Sequence, residues 1–277
     1  MLSFGYKTDV GKIRSNNEDA LLVLPAKGVF AVFDGVGGAS SGEIASRAAV
    51  NSLQDFLEKN PMDKADEFEE TYRDNWLEGY FLRCFRKMNT EILSIVAREP
   101  VTKGMATTAV LGVFYGDMLH IVNVGDSRAY LYKELNIGVH ATDSDICKLG
   151  QVVAQSSEDE IDPNVLIQIT EDHTWVNSLI NMGELTKEEA ANHPKKNMIT
   201  KALGADGECE PDFYHIPYHG ERILLCSDGL NGEVDAEGIR EILSLKKEEL
   251  GIVADYLVEA ALAAGGGDNV TVVVFEK

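Results

Sequence analysis

Residues 29–38 read VFAVFDGVGG, an apolar run that ends at Asp34 and passes into a glycine-rich stretch. The hydrophobic residues 29–33 are typical of a short strand that is buried on both faces. An aspartate at the end of such a strand, beside a backbone with few side chains, can hold a cation or a charged ligand close to the main chain. An Asp-Gly pair taken alone, however, indicates only a turn. The carboxylates elsewhere in the chain decide between these two interpretations.

The residues before this segment predict a partner strand for it. Residues 20–24 are apolar, and only residues 25–28 separate them from the run that ends at Asp34. Such a short connection favours an antiparallel hairpin. Glu18 and Asp19, at the start of one strand, are therefore expected at the same sheet edge as Asp34, at the end of the other.

Two further aspartates stand next to predicted strands. The apolar run 222–226 leads into Asp228, again with a glycine after it, and Asp268 shortly precedes the apolar run 270–275. Two unit charges about 4 Å apart repel by roughly 4 kcal/mol at an effective dielectric constant of about 20, so carboxylates gathered at one edge need positive charge between them. Oxygen ligands favour Mg²⁺ or Mn²⁺ over Zn²⁺ or Cu²⁺, and several carboxylates together predict two cations about 3.5–4 Å apart.

Arg14 lies shortly before Glu18, in a polar loop that leads to the same predicted edge. A guanidinium group at that place can bind phosphate oxygens in a bidentate manner. The alternative interpretation is an arginine that is merely solvated at the surface.

Composition and charge restrict the classes of function. The chain has 277 residues, 44% of them hydrophobic, and a net charge of -21 from 25 basic and 46 acidic side chains. Such an acidic surface repels nucleic acid and anionic membranes, although bound cations can reverse the sign locally for a phosphorylated substrate. The cysteines and histidines are scattered, without a Cys-x-x-Cys or His-Glu-x-x-His pattern, so a hard, oxygen-bound metal is expected. Because no signal-like or membrane-length apolar segment is visible, the expected location is the cytoplasm.

Helical and strand patterns occur in separate blocks. Helices are predicted at 42–59 and 65–97, and an aromatic and apolar stripe in the second helix is expected in the core. The stripe consists of Phe68, Tyr72, Trp76, Tyr80, Cys84, Met88 and Ile92. Strands at 106–115, 118–124 and 128–132 are predicted to form an antiparallel meander, because short turns that contain Gly and Asp join them.

Residues 133–168 are acidic and weakly periodic, and a structureless loop of this length is unusual in a compact domain. The segment is interpreted as a flap, a regulatory insertion or a small subdomain. The elements expected after it are helices at 175–181, 186–192, 235–244 and 248–264 and strands at 213–216, 222–226 and 270–275. Because no repeat or linker interrupts the chain, one α+β domain is expected over residues 1–277.

Six short motifs occur in the order found in the metal-dependent protein phosphatases of type 2C, the PPM family, which the chain resembles. They are RSNNED at 14–19, VFDGVGG at 32–38, ATTA at 106–109, VGDSRA at 124–129, CSDGL at 226–230 and GDNVT at 267–271. DHTW at 172–175 and HPKKNMITKALG at 193–204 resemble segments of bacterial members. The resemblance therefore extends over most of the chain.

The resemblance implies a four-layer α-β-β-α sandwich, in which helices flank two antiparallel sheets. It also implies two Mn²⁺ or Mg²⁺ ions in a cleft at one end of the sandwich. By motif match, Asp34 would bridge both ions, and the carbonyl group of Gly35 would bind one of them. Asp228 and Asp268 would hold the other ion.

Four further residues match positions of the family. Glu18 and Asp19 would support the ions directly or through water, and Asp126 matches the aspartate of a third ion that many bacterial members bind. Arg14 matches the arginine that binds the phosphate group. The resemblance thus implies catalytic roles for Arg14 and Asp34.

The implied reaction is hydrolysis of phosphoserine or phosphothreonine in proteins by a metal-bridged hydroxide that attacks phosphorus in line. The implied partners are phosphorylated proteins and a serine/threonine kinase that acts on the same substrates. The enzyme is expected to act in signalling and to be a monomer. Many eukaryotic members carry histidine where this chain has Val36, so the resemblance leaves the proton donor for the leaving group unidentified.

Two other interpretations compete with this one. Residues 38–42 read GASSG and fit the G-x-S-x-G pattern of serine hydrolases, but the candidate nucleophile Ser40 lies too far beyond the strand. The pattern also leaves Asp228 and Asp268 without a role. A phosphoprotein-binding module that has lost catalysis would lack metal ligands, whereas this chain has every carboxylate that the family motifs require.

Overall fold

The computed structural model describes residues 2–37, 41–134, 164–205, 209–245 and 249–277, which contain two five-stranded antiparallel sheets. The first sheet has the order β1 (Ser3–Asp9), β12 (Val270–Glu276), β11 (Arg222–Cys226), β8 (Arg128–Glu134) and β9 (Asn164–Gln168). The second has the order β10 (Asp212–Pro217), β7 (Met118–Val124), β6 (Ala109–Tyr115), β3 (Val29–Phe33) and β2 (Ala20–Leu24). A short pair is formed by β4 (Gly35–Val36) and β5 (Ala106–Thr107).

The described α-helices are α1 (Ser41–Lys59), α2 (Glu70–Arg98), α3 (Trp175–Asn181), α4 (Lys187–Ala191), α5 (Asp228–Asn231), α6 (Ala236–Leu243) and α7 (Leu250–Ala264). Short 3-10 helices cover Pro25–Lys27, Met62–Glu67 and Pro100–Thr102. The Thr186 side chain caps α4 in a capping box, and Asp235 caps α6. The α-helices lie within a few residues of the predicted ones, apart from the turn α5, and neither α5 nor the 3-10 helices were predicted.

Three apolar clusters hold four layers together. Between the sheets, the ring of Phe30 in β3 stacks on that of Phe275 in β12, with centroids 4.2 Å apart. Helices α1 and α2 cover the outer face of the second sheet with side chains such as Leu53 and Phe81, and α7 covers the first sheet with side chains such as Leu257. Each large apolar side chain buried in this way stabilises the fold by about 1.5–3 kcal/mol. The predicted α-β-β-α sandwich is confirmed.

The hairpin predicted around the opening segment is present. Strands β2 and β3 pair in antiparallel fashion with Ala20 opposite Phe33. The 3-10 turn Pro25–Lys27 connects them and ends at Gly28, whose φ of 66° lies in the left-handed region that favours glycine. Asp19 and Asp34 therefore flank the same end of this hairpin.

The predicted meander of three strands is wrong. Strands β6 and β7 form a hairpin, but β8 belongs to the other sheet. Gly125 between β7 and β8 has a φ of 105°, and a Cβ atom there would lie 2.5 Å from the Thr108 side chain. The glycine therefore lets the chain cross from one sheet to the other, and Asp126 lies on this crossing.

The second long helix begins at Glu70 and not at residue 65. The residues before it form the 3-10 helix Met62–Glu67, and Phe68 has an extended backbone with φ -104° and ψ 146°. Phe68 and Tyr72 are 40% and 62% exposed, so the predicted core stripe is wrong for these two side chains. Phe68 lies before the helix, and Tyr72 lies in its first turn. From Tyr80 onward the stripe is buried, as predicted.

Residues 135–163 lie outside the described part of the chain, so the interpretations given for 133–168 stay predictions over that range. Strands β8 and β9 flank it and pair in antiparallel fashion, with Glu134 opposite Asn164. Among the described helices, none combines the length and the apolar character that a membrane span needs.

Candidate metal centre

Asp34 is held in place at the end of β3 through its backbone. Its N–H donates to Thr108 Oγ1 at 2.9 Å, and its carbonyl oxygen accepts from the Thr108 N–H and from Thr107 Oγ1, both at 2.9 Å. Thr108 Oγ1 also lies 2.7 Å from Ser127 Oγ on the crossing between the sheets. These contacts divide the predicted strand 106–115 at Thr108, and they give both threonines a structural role.

Asp228 reaches the same place from the other sheet. It follows β11 and begins the helical turn α5, and its carboxyl group lies close enough to that of Asp34 for the two groups to perturb each other's pKa. A Cβ atom at Gly229 would lie 1.9 Å from the carbonyl oxygen of Asn269, so only glycine lets α5 approach the start of β12 this closely. The pair of Asp34 and Asp228 thus joins strand ends from both sheets.

Asp19 is a buried carboxyl group directly before β2. Its side chain is 9% exposed, and Ser227 Oγ donates a hydrogen bond of 2.8 Å to Asp19 Oδ2. Burial raises the pKa of Asp19, hydrogen bonds from Thr271 and Ser227 oppose the shift, and the carboxylates of Asp228 and Asp268 add to it, which together give a pKa of about 7.

Glu18, Gly35 and Gly42 form an oxygen-lined cradle at the first turn of α1. The Gly35 N–H donates to the Glu18 carbonyl oxygen at 3.2 Å. A Cβ atom at Gly42 would lie 2.5 Å from Glu18 Oε2 and 2.6 Å from the Gly35 carbonyl oxygen. A side chain at this position would therefore fill the space between a carboxylate and a carbonyl group, which are both ligand types of Mg²⁺ and Mn²⁺. Burial raises the pKa of Glu18 as well.

Arg14 and Asp268 meet at the solvent-facing side of the cluster. Arg14 Nη2 donates to Asp268 Oδ2 at 2.7 Å, and the two side chains are 53% and 38% exposed. An ion pair with this exposure contributes about 0–1 kcal/mol to stability. The guanidinium group is therefore placed beside the carboxylates and remains accessible to a ligand.

Asp126 is almost fully enclosed on the crossing between the sheets. It is 6% exposed, and its Oδ1 atom has no hydrogen-bond partner within the described ranges. Burial, followed by the carboxylates of Asp228 and Asp172, raises the pKa of Asp126 to about 7. His173 fixes the turn, because its Nδ1 accepts from the Gly125 N–H at 3.0 Å. A buried carboxylate oxygen without a donor is unfavourable, and a cation would satisfy it.

The carboxyl groups disfavour one another's ionised forms. Burial raises the pKa of Asp34 well above its ordinary value, with further contributions from Asp19, Asp228 and Asp126. Burial and then the charge of Asp268 raise the pKa of Asp228. So many carboxyl groups cannot all be ionised near neutral pH unless positive charge lies among them. Because the donors are oxygen atoms, the residues fit divalent cations of the Mg²⁺ and Mn²⁺ class.

The fold brings the predicted site residues together at one edge of the sandwich. They are Arg14, Glu18, Asp19, Asp34, Gly35, Asp126, Asp228 and Asp268. Their roles as ligands or as catalytic groups stay predictions. Ser40, the nucleophile of the serine hydrolase interpretation, lies outside the described residues.

Asn269 is a site residue that the sequence did not single out. Its Oδ1 accepts from the Glu18 N–H at 2.8 Å, and its Nδ2 donates to the carbonyl oxygens of Val10 and Asn16, both at 2.9 Å. One side chain thereby fastens the Arg14 loop to the start of β12. The available signal was its place in the GDNVT motif, but what the amide contacts depends on the fold.

A cleft of about 760 Å³ opens beside the carboxylates. Asp126, Asp228 and Asp268 line one side of it, and Lys187 and Lys196 line it as well. The cleft has room for an extended peptide segment, and its basic side chains allow an acidic or phosphorylated one.

Arg128 lines the same cleft and is held by Asp172. Its Nε donates to Asp172 Oδ1 at 2.9 Å and its Nη2 to Oδ2 at 2.7 Å, which is a bidentate pair. Both residues belong to segments that resemble the family, VGDSRA and DHTW, but the sequence gave no role to either of them and did not predict that they pair.

Comparison with known proteins gives one family and close structural neighbours. The family model described as Protein phosphatase 2C matches residues 12–247. The chain is 34% identical over 277 residues to the serine/threonine phosphatase Stp of Listeria monocytogenes serotype 4b (strain F2365), an alignment that covers 98% of this chain and 94% of that protein.

Two solved structures are similar over nearly their whole length. The Mycobacterium tuberculosis serine/threonine phosphatase PstP/Ppp superposes with a TM-score of 0.77 at 33% identity and covers 99% of this chain and 98% of its own. The catalytic domain of the serine threonine protein phosphatase PstP in complex with 2 manganese ions has a TM-score of 0.74 at 32% identity, with coverage of 99% and 97%.

Proposed function

The chain belongs to the protein phosphatase 2C family, as its motifs predicted, and we infer that it is a metal-dependent enzyme that hydrolyses phosphoserine and phosphothreonine in proteins. The observation that carries this function is the meeting of Asp34 and Asp228 from the ends of two sheets, with Asp19, Asp126 and Asp268 close by. Enclosed carboxyl groups of like charge oppose folding unless a cation is bound among them. The cluster is therefore built for divalent cations.

We propose Mn²⁺ or Mg²⁺ as the cations, two in the core of the site and a third near Asp126. Asp34 would contact both core ions, the Gly35 carbonyl group would bind one, and Asp228 and Asp268 would hold the other. The complex of a similar catalytic domain with two manganese ions supports this number for the core site. The unpartnered Oδ1 of Asp126 supports the third position.

Glu18 and Asp19 form the inner wall of the site. The Glu18 carboxylate faces the Gly35 carbonyl group across the Gly42 cradle, and Asp19 is enclosed behind it. Cations bound here would lower the pKa of a water molecule and neutralise negative charge on the phosphoryl oxygens. Ser227 orients the Asp19 carboxyl group by its hydrogen bond of 2.8 Å, which would hold this group in place when cations bind.

Arg14 binds the phosphate group in this proposal. Its guanidinium fork donates to the phosphoryl oxygens, and these contacts strengthen as charge develops on the oxygens in the transition state. Asp268 keeps the guanidinium group at the mouth of the cluster through the contact of 2.7 Å.

The products are inorganic phosphate and the free serine or threonine hydroxyl group. Water supplies the oxygen that forms the new P–O bond, and the bond from phosphorus to the side-chain oxygen breaks. Val36 is 41% exposed beside the site and has no proton to donate. In this proposal the leaving oxygen takes its proton from a water molecule that enters the open cleft.

The substrate segment lies in the cleft of about 760 Å³ beside the carboxylates. Lys187 and Lys196 on its walls suit acidic residues next to the phosphorylated one. We further propose that residues 1–277 act as one catalytic domain, as a monomer in the cytoplasm, on proteins that a serine/threonine kinase has phosphorylated.

The test is hydrolysis of p-nitrophenyl phosphate and of a phosphothreonine peptide with Mn²⁺, with Mg²⁺ and with EDTA. The proposal predicts release of phosphate from both substrates with Mn²⁺ and none with EDTA. Esterase activity that survives EDTA, together with labelling of Ser40 by a fluorophosphonate, would contradict the proposal and favour a serine hydrolase.

A further inference from the structure

A pair of histidines lies on the second sheet, away from the carboxylate cluster. His120 in β7 and His215 in β10 are directly opposite each other in the strand register, and their Nδ1 atoms are 2.7 Å apart. The two residues are 95 positions apart in the chain, so only the pairing of these strands brings them together. The sequence, in which the histidines are scattered, gave no sign of this pair.

Helix α2 adds two carboxylates, one turn apart, to the same place. Glu78 Oε1 accepts a hydrogen bond of 2.9 Å from His215 Nε2. Asp74 lies four residues earlier, on the same face of α2, and a ligand atom of Asp74, one of His120 and one of His215 all lie within 4.8 Å of one another. A carboxylate that accepts the outer N–H of a histidine leaves the other ring nitrogen free to bind a metal. Glu78 stands in this relation to His215.

His120 is a buried histidine whose hydrogen bonds are incomplete. It is 1% exposed, and its Nε2 has no partner in the part of the chain that the structure describes. The 2.7 Å contact between His120 Nδ1 and His215 Nδ1 requires one of these nitrogens to donate and the other to accept with a lone pair. An unsatisfied buried nitrogen is unfavourable unless water or an ion contacts it.

A cavity of about 290 Å³ adjoins this group. Asp74 and His120 both line it, together with Asp117 and Arg73. The Arg73 guanidinium lies over the ring of Tyr115, 6.0 Å from its centroid. The cavity therefore has room for an ion with one or two water molecules.

We propose that Asp74, His120 and His215 bind one divalent cation of the class that prefers imidazole, with Zn²⁺ as the leading candidate. Two imidazole nitrogens and one carboxylate suit Zn²⁺, whereas the all-oxygen cluster at the cleft suits Mg²⁺ and Mn²⁺. When the ion binds, the hydrogen bond between the two Nδ1 atoms breaks. Its proton moves to His120 Nε2, which then donates to a water molecule in the adjoining cavity and is no longer unpaired. Both Nδ1 lone pairs face the ion, and a second water molecule takes the fourth position.

The site connects α2 to β10 at the edge of the second sheet. Strand β10 begins at Asp212, whose Oδ2 is 2.9 Å from His173 Nε2, and His173 holds the Gly125 N–H on the crossing to Asp126. A cation between α2 and β10 therefore stabilises the side of the fold from which Asp126 is positioned. The site touches no substrate, so its role is structural.

The test uses the full chain with Asp34→Asn and Asp228→Asn, which weakens the carboxylate cluster and leaves the histidine site intact. Zn²⁺ per chain is counted after equilibrium dialysis, and Tm is measured with and without Zn²⁺. The proposal predicts one Zn²⁺ per chain and a Tm that rises with Zn²⁺. Adding Asp74→Asn or His215→Gln should weaken Zn²⁺ binding at least tenfold, and the matched change at the exposed His219, His219→Gln, should leave it unchanged.

Asp74→Asn keeps the shape of a half-buried side chain, so it carries the test if His215→Gln does not fold by circular dichroism. Failure of the doubly substituted chain to bind Zn²⁺ would overturn the proposal. Zn²⁺ binding that is equally strong with Asp74→Asn would overturn it too. Neither result depends on phosphatase activity, so the outcome is separate from that of the function proposed above.

Discussion

Arg14 Nη2 contacts Asp268 Oδ2 at 2.7 Å, although the two residues are 254 positions apart in the chain. Arg14 comes from the loop before β2 and Asp268 from the turn before β12, so the contact joins elements of the two sheets at the mouth of the carboxylate cluster. Because both side chains are partly exposed, this ion pair contributes little to stability. The contact instead holds the guanidinium group of Arg14 beside Asp268, a predicted cation ligand.

Arg14→Lys should lower kcat/KM for a phosphothreonine peptide about tenfold to hundredfold. Lysine keeps the charge but loses the planar fork, and a hydrogen bond to a charged group contributes about 1.5–3 kcal/mol. Steady-state kinetics checks this, with Arg98→Lys at the exposed end of α2 as the matched control. Unchanged kcat/KM in Arg14→Lys would remove Arg14 from the phosphate site.

Gly42→Ala should weaken Mn²⁺ binding at least tenfold, because the new methyl group would lie between Glu18 Oε2 and the Gly35 carbonyl oxygen. Gly251→Ala in α7 is the control, since a Cβ atom there meets nothing within 4 Å. On helix propensity alone, both changes would stabilise the chain by about 0.5–1 kcal/mol. Calorimetric titration measures the Mn²⁺ affinity of both variants, which should be weakened in Gly42→Ala and unchanged in Gly251→Ala. Equal affinities in both variants would argue against the cradle as a cation site.

Asp126→Ala should reduce kcat while two Mn²⁺ ions stay bound per chain. The reason is that Asp126 lies on the crossing between the sheets and is not among the residues proposed to hold the two core ions. Kinetics combined with metal analysis of the dialysed variant tests this division of roles. A variant that has lost both core ions would contradict it.

Without metal, the free energy of unfolding should fall as pH rises from about 4 to about 7. Burial raises the pKa values of Asp19 and Asp126 from 3.8 to about 7, so in this range the folded chain binds more protons than the unfolded chain. The stability gained at low pH is therefore lost as pH passes through the raised pKa values, by an amount on the order of a few kcal/mol. Urea unfolding in EDTA at pH 4.5 and pH 7.5 measures the difference.

Addition of Mn²⁺ at pH 7.5 should restore the stability that the rise in pH removed, because the cation replaces the bound protons. The double variant Asp19→Asn and Asp126→Asn serves as the control, and its stability should depend less on pH. If the free energy of unfolding of the metal-free wild-type chain depended on pH in the same way as that of this variant, the pKa values of Asp19 and Asp126 would not be raised as described.

The opening hairpin and the site edge were predictable from local patterns. The apolar runs around Asp34 and the short connection before them predict β2 and β3 correctly, and the hairpin places Asp19 and Asp34 at one edge. Asp228 and Asp268 follow from the same rule about strand ends. Such predictions succeed because hydrophobic period and connection length are properties of neighbouring residues.

The crossing at Gly125 could not be predicted in this way. The turn lengths after β6 and after β7 are both short, and whether the strands on either side pair depends on distant contacts. Thr108 meets Ser127, and His173 holds the Gly125 N–H, only once both sheets have formed. The contact between His120 and His215 could not be predicted from the sequence for the same reason, since it depends on the register of β7 and β10.

The most direct test of the central claim is made on Asp34→Asn. Asparagine keeps the size of the side chain and its place at the end of β3, but it removes the charge that would hold two cations. Mn²⁺ per chain and Mn²⁺-dependent release of phosphate from a phosphothreonine peptide are measured on the wild-type chain and on the variant. We expect two or more ions and rapid hydrolysis in the wild type, and loss of bound Mn²⁺ and of hydrolysis in the variant, which remains folded. An Asp34→Asn protein that hydrolyses the peptide at the wild-type rate would contradict the metal centre described here.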